Sequence, residues 1–347
     1  MADILVGTTK GLFILEGGQR LTGPFCDGWP INHAVGQGGT ALAAGGGKWF
    51  GCGVWRRDRG EWAVSQGPFE GAEQIWSVCF DGDRVLAGSK PAYLYESRDG
   101  GATWARLDAL TDQPGADQWM PGAAGLTLHT ILTDGKGGVW VGISAAGVFE
   151  SRDGGRSWAM RNRRGNRPGP AGALERSWDG VEFRAEDEIF SCVHNLAFGA
   201  AEGLIYMQNH QGVYRSHSGG AVWEEITEGL PSTFGFPVGA HPHAPGTLWV
   251  FPLNGDSLGR WPVGNRALVW KSENGGDTWQ PRGQGLPDRD CYFTVLRQAM
   301  AVDRGTPCSV AFGTNSGSVF LSRDEGDNWA EVARHLPTVL SVEFVRG

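Results

Sequence analysis

The sequence predicts an all-β fold, a seven-bladed β-propeller with four-stranded blades whose ring is closed by the C-terminal strand joining the N-terminal blade. A motif of the form S-x-D-x-G-x-x-W, or a close variant, recurs at intervals of 50 to 65 residues, the length of one blade with its loops, and starts at Ser97, Ser151, Ser216, Ser272 and Ser322. Short apolar strands fill the intervals, and one unpaired strand is left at the C-terminus. The 56 glycines and 16 tryptophans suit many short strands joined by tight turns.

Each copy of the motif has the chemistry of a tight turn between two strands. An Asp carboxylate accepts hydrogen bonds from N–H groups of its own turn, and the glycines allow the positive φ that such turns require. The Trp begins the next strand and packs within the blade. Two copies replace the Asp with Ser or Asn, which remain acceptors. We therefore expect a structural rather than a catalytic role for Asp99, Trp104, Asp153, Trp158, Ser218, Trp223, Asn274, Trp279, Asp324 and Trp329.

These segments, of which SRDGGATW and SRDGGRSW are the clearest, resemble the Asp-box (BNR) repeat of sialidases, other glycoside hydrolases and several propellers without sugar chemistry. Over its whole length the sequence also resembles sialidase-like BNR-repeat proteins of bacteria, most clearly in CVHNLAF, YMQNHQGVYRS and LPTVLSVEF. This resemblance implies a seven-bladed propeller and leaves the chemistry open.

Hairpins divide the chain into seven blades of a single domain, 1–347. An apolar strand precedes every hairpin except the first, ILVGTTKGLFIL, and the C-terminal segment VLSVEF supplies the missing one. Closing the ring in this way removes exposed sheet edges. The predicted blades are 337–347 with 1–27, then 28–69, 70–118, 119–185, 186–232, 233–287 and 288–336.

Composition and charge narrow the class of partner. The formal net charge of -8 and the pI near 5.5 argue against nucleic acid and against an anionic membrane, because both attract a basic surface. The first residues, MADILVGTTKGLFIL, lack the basic leader and long apolar core of a signal peptide, so we expect a cytoplasmic location. The six cysteines are scattered singly, which favours buried free thiols over disulfides.

Three histidines fall at roughly equivalent positions of three inner strands, beside the central channel. They are His33, His129 and His194. Neutral imidazoles on one ring could hold a divalent metal such as Zn, Fe or Cu on the channel axis, or could act as acid and base on a substrate. They could equally form hydrogen bonds between blades or to channel water. The sequence leaves these alternatives open.

The longest connections emerge at one end of the channel, which we call the mouth. They span 105–125, 159–189 and 252–266, and long structured loops on a rigid scaffold usually carry function. Together with the inner strands they bring a set of aromatic and cationic side chains toward the mouth. The substrate-binding residues predicted from this placement are Trp76, His210, Arg297, Tyr292, Arg266 and Trp261.

Two classes of function fit these features. One is a small-molecule or glycan pocket at the mouth, used by a hydrolase or lyase with or without a metal, and the other is a non-catalytic scaffold that binds or assembles proteins. A true sialidase fits less well, because the only early arginine, Arg20, lies outside an F/Y-R-I-P motif and Tyr292 is the one plausible counterpart of the nucleophile. Whether the protein is an enzyme is left undecided by the sequence.

Overall fold

The computed structural model describes residues 2–47, 49, 51–122, 125–165, 174–176, 182–184, 188–189, 192–255 and 257–347. These form thirty short strands and three 3-10 turns, and no described helix is long and apolar enough to cross a membrane. The predicted fold class is confirmed: seven four-stranded antiparallel sheets form the ring.

The strands of the first half of the chain are β1 (Ile4–Thr8), β2 (Gly11–Glu16), β3 (Arg20–Phe25), β4 (Ile31–Gln37), β5 (Thr40–Gly47), β6 (Gly51–Asp58), β7 (Glu61–Ser65), β8 (Gln74–Asp81), β9 (Arg84–Lys90), β10 (Leu94–Ser97), β11 (Ala105–Arg106), β12 (Thr127–Thr133), β13 (Val139–Ser144), β14 (Gly147–Ser151) and β15 (Ala159–Met160). Two 3-10 turns lie at Asp108–Leu110 and Ala116–Gln118.

The second half contains β16 (Leu174–Arg176), β17 (Glu182–Arg184), β18 (Val193–Phe198), β19 (Ile205–Asn209), β20 (Val213–Ser216), β21 (Glu224–Glu225), β22 (Gly235–Ala240), β23 (Leu248–Pro252), β24 (Val269–Ser272), β25 (Gln280–Arg282), β26 (Met300–Val302), β27 (Val310–Gly313), β28 (Val319–Ser322), β29 (Ala330–Ala333) and β30 (Val339–Phe344). The third 3-10 turn is Val263–Asn265, and β16 and β17 form a separate hairpin.

Blade 1 combines the two ends of the chain. Its order from the outside inward is β3, β2, β1 and β30, with Ile4 opposite Phe344 and Val6 opposite Val342. Blades 2 to 7 begin at β4, β8, β12, β18, β22 and β26, and each of these inner strands contacts the next around the ring. Because β26 also contacts β30, the ring is closed and the inner strands surround a central channel.

The Asp-containing turns share one hydrogen-bond arrangement. In blade 4, Asp153 Oδ1 accepts N–H groups from Arg156 and Ser157 at 3.0 and 2.9 Å, and Ser151 Oγ accepts the Gly155 N–H at 2.7 Å. Hydrogen bonds led by those from Ser157 hold the pKa of Asp153 well below its usual range. Ser218 and Asn274 accept the corresponding N–H groups in blades 5 and 6. These turns lie at the end of the ring opposite the mouth, so they stabilise the blades at a distance from the channel opening.

Buried aliphatic and aromatic side chains pack between neighbouring blades. The tryptophans of the turns contribute to these layers, and Trp104, Trp223 and Trp279 are each nearly inaccessible to solvent. All six cysteines are free thiols, as the sequence suggests.

Candidate functional site

A β-bulge near the start of most inner strands determines which side chains share a level of the channel. In β8, β12 and β18 the strand pairing skips one residue, and the skipped residues are Trp76, His129 and His194. In β4 the skipped residue is Asn32, not His33. A bulge adds one residue to a strand and so shifts every later position by one. The predicted equivalence of the three histidines is therefore corrected: His33 belongs one position further along its strand.

His33 bonds the neighbouring blade. Its Nδ1 accepts the Val78 N–H at 3.2 Å, which makes it a contact between blades 2 and 3. Burial, with the nearby charge of Arg346, lowers the pKa of His33 to about 4, so the imidazole is neutral at physiological pH. The structure gives this residue the inter-blade role that was one of the sequence alternatives.

His129 is a buried imidazole without a hydrogen-bond partner. Its side chain is inaccessible to solvent, and neither ring nitrogen has a partner within the described residues. The edge-to-face contact with Trp76 has ring centres 5.4 Å apart. Burial, Arg297 and His194 together hold the pKa of His129 well below its usual range. An unpaired buried polar group costs about 1–3 kcal/mol, so its persistence points to a ligand or solvent partner.

His194 lies at the same level in blade 5 and has a defined tautomer. Its Nδ1 is 2.6 Å from the carbonyl oxygen of Gly235. Because a carbonyl can only accept, Nδ1 carries the proton and Nε2 presents a lone pair. The ring packs against His210, Phe234 and Phe236, with centres 5.5, 5.6 and 4.8 Å apart.

Two arginines converge on the same aromatic wall. The guanidinium of Arg297 lies 4.5 Å from the centre of the Phe236 ring, and that of Arg260 lies 5.8 Å from it. Both side chains are half-buried, and neither is paired with a carboxylate among the described residues. Arg297 Nε is buried without a partner. Burial and the second guanidinium lower the pKa of Arg297 to about 10.

Several other half-buried arginines of the described residues do have carboxylate partners. Arg84 is paired with Asp81 and Glu96, Arg161 with Glu150, and Arg215 with Glu224 and Asp277. A partly desolvated cation normally acquires an anionic partner, because burial of an isolated charge is costly. Arg260 and Arg297 thus form a cationic site that is prepared for an anion.

The segment that carries Arg297 reaches across the channel. Asn195 of blade 5 donates from Nδ2 to the Arg297 carbonyl at 2.6 Å, and Gln298 donates from Nε2 to the His129 carbonyl in blade 4. On the other side, Val342 of blade 1 donates its N–H to the Gln298 carbonyl at 2.8 Å. Contacts to three blades hold this segment, so the backbone of Arg297 is fixed in place before any ligand arrives.

The predicted metal ligands are not brought together as one set. His33, His129 and His194 do not form a cluster of donor atoms, whereas one donor atom each from Cys192, His194 and His210 lie within 4.8 Å of one another. His210, predicted as a substrate-binding residue, therefore joins His194 at the mouth. Cys192 meets His210 across a hairpin, a relationship that the positions of residues along single strands do not reveal.

The other predicted binding residues lie on loops around the mouth. Trp261 and Tyr292 form an edge-to-face pair with centres 5.5 Å apart, and Asn265 donates from Nδ2 to Tyr292 Oη at 3.2 Å. Arg266, beside them, is exposed. Arg260 lies in the loop 252–266 that the sequence places at the mouth, but its contact with Phe236 is not predicted from the sequence. The backbone of Arg260 is left-handed (φ 62°). Nothing in the sequence predicts that conformation, so the direction of this side chain could not be inferred.

Exposed apolar side chains also collect at this end of the ring. Trp49, Met120, Leu258 and Tyr292 all lie in connections of the mouth face, and they are 89%, 49%, 61% and 61% exposed. The remaining large apolar side chains with comparable exposure, such as Val64 and Met160, lie on outermost strands.

A second concave region lies at the opposite end, between blades 3 and 4. This groove of about 820 Å³ is lined by charged residues, among them Arg84, Glu96 and Asp153. Arg84 donates to Gly154 and to both of its carboxylate partners, so its hydrogen-bonding capacity is already engaged. The mouth is therefore the stronger candidate site, because Arg260, Arg297 and the imidazole of His129 have no ionic or hydrogen-bond partner for their side chains among the described residues.

Comparison with known proteins gives a fold and one distant curated relative. No family model matches the chain. The Photosystem II assembly lipoprotein Ycf48 of Synechococcus sp. (strain CC9902) is 23% identical over 246 residues, which cover 65% of this chain and 67% of that protein.

Similar solved structures fall into two functional groups. An ancestral GH74 enzyme superposes with a TM-score of 0.59 at 14% identity, covering 94% of this chain and 39% of that one. The GH74 xyloglucanase from Xanthomonas campestris gives 0.58 at 19% identity, with 87% and 45% covered. YCF48 bound to D1 peptide gives 0.56 at 15% identity, with 95% and 83% covered. The chain thus spans less than half of each GH74 enzyme, and at these identities the likeness establishes the propeller fold alone.

Proposed function

We propose that this protein is a binding propeller with a role in assembly, and that the mouth of its channel holds a carboxylate-bearing segment of a partner protein. The observation that carries the proposal is the pair of unpaired guanidiniums, Arg260 and Arg297, on the face of Phe236. Guanidinium groups recognise carboxylates through two parallel hydrogen bonds, and a partly desolvated site strengthens such bonds.

The net negative charge of the protein favours a ligand with a single localised anionic group over a polyanionic ligand. The net charge of -8 would repel a nucleic acid backbone or an anionic lipid surface at long range. A peptide carboxylate requires only a local cationic site, and this is what two neighbouring arginines provide.

The surroundings of the arginines favour a peptide as the carrier of the carboxylate. Trp49, Met120, Leu258 and Tyr292 offer exposed apolar surface around the mouth. Exposed aromatic and Met side chains are characteristic of protein-binding surfaces. The curated relative is an assembly protein, and one similar structure was solved with a peptide bound; both facts support the same class of function.

A hydrolase or lyase with a glycan or small-molecule pocket is the second class that the fold accommodates. Most glycoside hydrolases act with two carboxyl groups on either side of the scissile bond, roughly 5–9.5 Å apart. The side chains gathered around His194 and Phe236 are imidazoles, a thiol, guanidiniums and aromatic rings, a set suited to holding an anion. Binding is therefore the function that we put forward.

Peptide arrays test the proposal directly. Peptides presented with a free C-terminal carboxylate, with a C-terminal amide, or with internal Asp and Glu distinguish the source of the carboxylate. We expect a subset to bind and to lose at least tenfold in affinity in Arg297→Gln and in Arg260→Gln. The matched control is Arg289→Gln, an exposed arginine in the loop that leads to β26. Hydrolysis of xyloglucan by the wild type, with no carboxylate-dependent peptide binding, would favour the enzymatic alternative.

A further inference from the structure

One end of the blade 5 hairpin gathers three metal-binding side chains. Cys192 precedes β18, His194 is the bulged residue of that strand, and His210 follows β19. The N–H of His210 donates to the Cys192 carbonyl at 3.1 Å, so the two residues are cross-strand neighbours. The hairpin pairing thus fixes the backbone of all three residues before any ion binds.

The donor atoms are close to the spacing that a tetrahedral ion requires. One atom from each residue lies within 4.8 Å of the other two. Zinc bond lengths of about 2.0–2.1 Å to nitrogen and 2.3 Å to sulfur place tetrahedral ligands roughly 3.3–3.6 Å apart. Small side-chain rotations would close that difference.

The tautomer of His194 is the one that a metal ligand needs. Its Nδ1–H is already donated to the Gly235 carbonyl, which leaves the Nε2 lone pair available for coordination. A backbone carbonyl on the second ring nitrogen is the usual outer-sphere partner of a metal-bound histidine. Ser144 Oγ, 3.0 Å from Cys192 Sγ, can donate to a thiolate in the same way.

A second group of donors in the chain lacks this property. His241, Cys308 and Glu325 also lie within 4.8 Å of one another, at the opposite end of the ring. There, however, His241 Nδ1 accepts N–H groups from His243 and Ala244 at 2.9 and 3.1 Å. The proton of that imidazole is consequently on Nε2, which faces Glu325 at 3.5 Å. His241 Nδ1 is therefore already engaged by its own turn, and the group serves as an internal comparison.

We propose that Cys192, His194 and His210 bind one Zn²⁺ ion. A thiolate with two imidazoles suits a borderline soft divalent ion, and a Cys and His set favours zinc over magnesium or calcium. Three protein ligands leave one coordination position for water or for a ligand at the mouth. The proposal rests on residues other than the two arginines and stands whether or not the peptide is the ligand.

Metal titration tests this site with the whole protein. Chelator-treated, fully reduced protein is titrated with ZnCl₂ by calorimetry and with CoCl₂ by absorption spectroscopy. We expect one equivalent of zinc, and a cobalt spectrum with tetrahedral visible bands and thiolate charge transfer. Cys192→Ser should abolish the charge-transfer band, and His210→Ala should weaken zinc binding by at least roughly 10–100-fold.

Matched variants at the second cluster, Cys308→Ser and His241→Ala, should leave both titrations unchanged. Circular dichroism of each variant checks that the propeller is folded, and His210, which is only half-buried, provides a test should Cys192→Ser fail to fold. Absence of saturable zinc and cobalt binding by the wild type would overturn the proposal. So would binding that survives both Cys192→Ser and His210→Ala. Peptide binding by Arg297→Gln is scored separately, so that failure of one proposal is distinguishable from failure of the other.

Discussion

The guanidinium of Arg297, in blade 7, lies 4.5 Å from the centre of the Phe236 ring, in blade 6, and has no carboxylate partner among the described residues. The guanidinium of Arg260, in the loop between β23 and β24, lies 5.8 Å from the centre of the same ring. Two like charges on one aromatic face repel each other, so the arrangement is less stable empty than with an anion between them. The same relationship links the fold to its proposed function, since the propeller ring places residues of two blades on one ligand.

Replacement of His129 by phenylalanine should stabilise the ligand-free protein. The imidazole has two buried nitrogens without partners, and a phenyl ring would keep the edge contact with Trp76. We expect the free energy of unfolding to rise by about 1–2 kcal/mol in chemical denaturation. Peptide affinity should fall at the same time if the imidazole contacts the ligand.

His33→Phe is the control for this substitution. Its Nδ1 accepts the Val78 N–H, so loss of the imidazole leaves a donor without a partner and should destabilise the protein. Equal destabilisation in both variants would show that the His129 nitrogens are satisfied in solution.

The sequence alone predicts the closed propeller, but it does not predict the position of each inner-strand residue along the channel axis. The repeated turns are readable because Asp153 and its equivalents bond N–H groups at fixed distances along the chain. The bulges leave no comparable signature, because they depend on how a strand pairs with its neighbour. The sequence therefore predicts that His33 is equivalent to His129 and His194, whereas Asn32 holds that position in the structure.

Of the cationic site, the sequence predicts a channel position for Arg297 but not its meeting with Arg260 and Phe236. Arg297 lies near an inner strand, where sequence position suggests channel contact. Arg260 reaches the same ring from a loop whose backbone conformation no pattern specifies, and its partner Phe236 lies within a bulge of β22. Tertiary packing, rather than local sequence, decides that these three residues meet.

Removal of residues 338–347 should destroy cooperative folding. Without β30, the inner edge of β1 is unpaired, and Ile4 and Val6 lose their neighbours Phe344 and Val342. An unpaired edge with buried apolar residues promotes aggregation. We expect the truncated protein to aggregate or to unfold over a broad range by differential scanning calorimetry. A sharp transition at the wild-type temperature would refute closure of the ring by β30.

Ser151→Ala should destabilise blade 4. The hydroxyl accepts the buried Gly155 N–H and donates to Asp153, so its removal leaves an N–H group without a partner. The expected loss is about 1–3 kcal/mol in urea denaturation. Ser157→Ala is the comparison, because its hydroxyl donates to the same carboxylate at an exposed position and should matter little. Similar losses in the two variants would contradict this account of the turn.

Glu343 should make the protein less stable as the pH rises. Burial raises the pKa of this carboxyl to about 7, against the opposing effect of Arg346, so the folded state holds its proton to a higher pH than the unfolded state does. The contribution of the protonated carboxyl to the free energy of unfolding is fully present below about pH 4.5. It is lost as the pH rises through 7, because the unfolded state releases the proton first.

The variant Glu343→Gln, which cannot ionise, measures this loss. Relative to the wild type, it should gain about 2–3 kcal/mol between pH 4 and pH 8 in the free energy of unfolding. Glu331→Gln, on the outermost strand β29, is the control and should follow the wild-type profile. Parallel profiles for Glu343→Gln and the wild type would show that the carboxyl is ionised normally in the fold.

The most direct test of the binding role is the affinity of one carboxylate-dependent peptide for the wild type, Arg297→Gln and Arg289→Gln, measured by isothermal titration calorimetry. Loss of a charge-assisted pair of hydrogen bonds costs about 1.5–3 kcal/mol, a weakening of roughly 10- to 100-fold. We predict that loss for Arg297→Gln, wild-type affinity for Arg289→Gln, and no binding of the amidated or charge-neutral peptide. Equal affinity of all three proteins, or equal binding of the neutral peptide, would contradict the proposal that the mouth of this propeller holds a carboxylate.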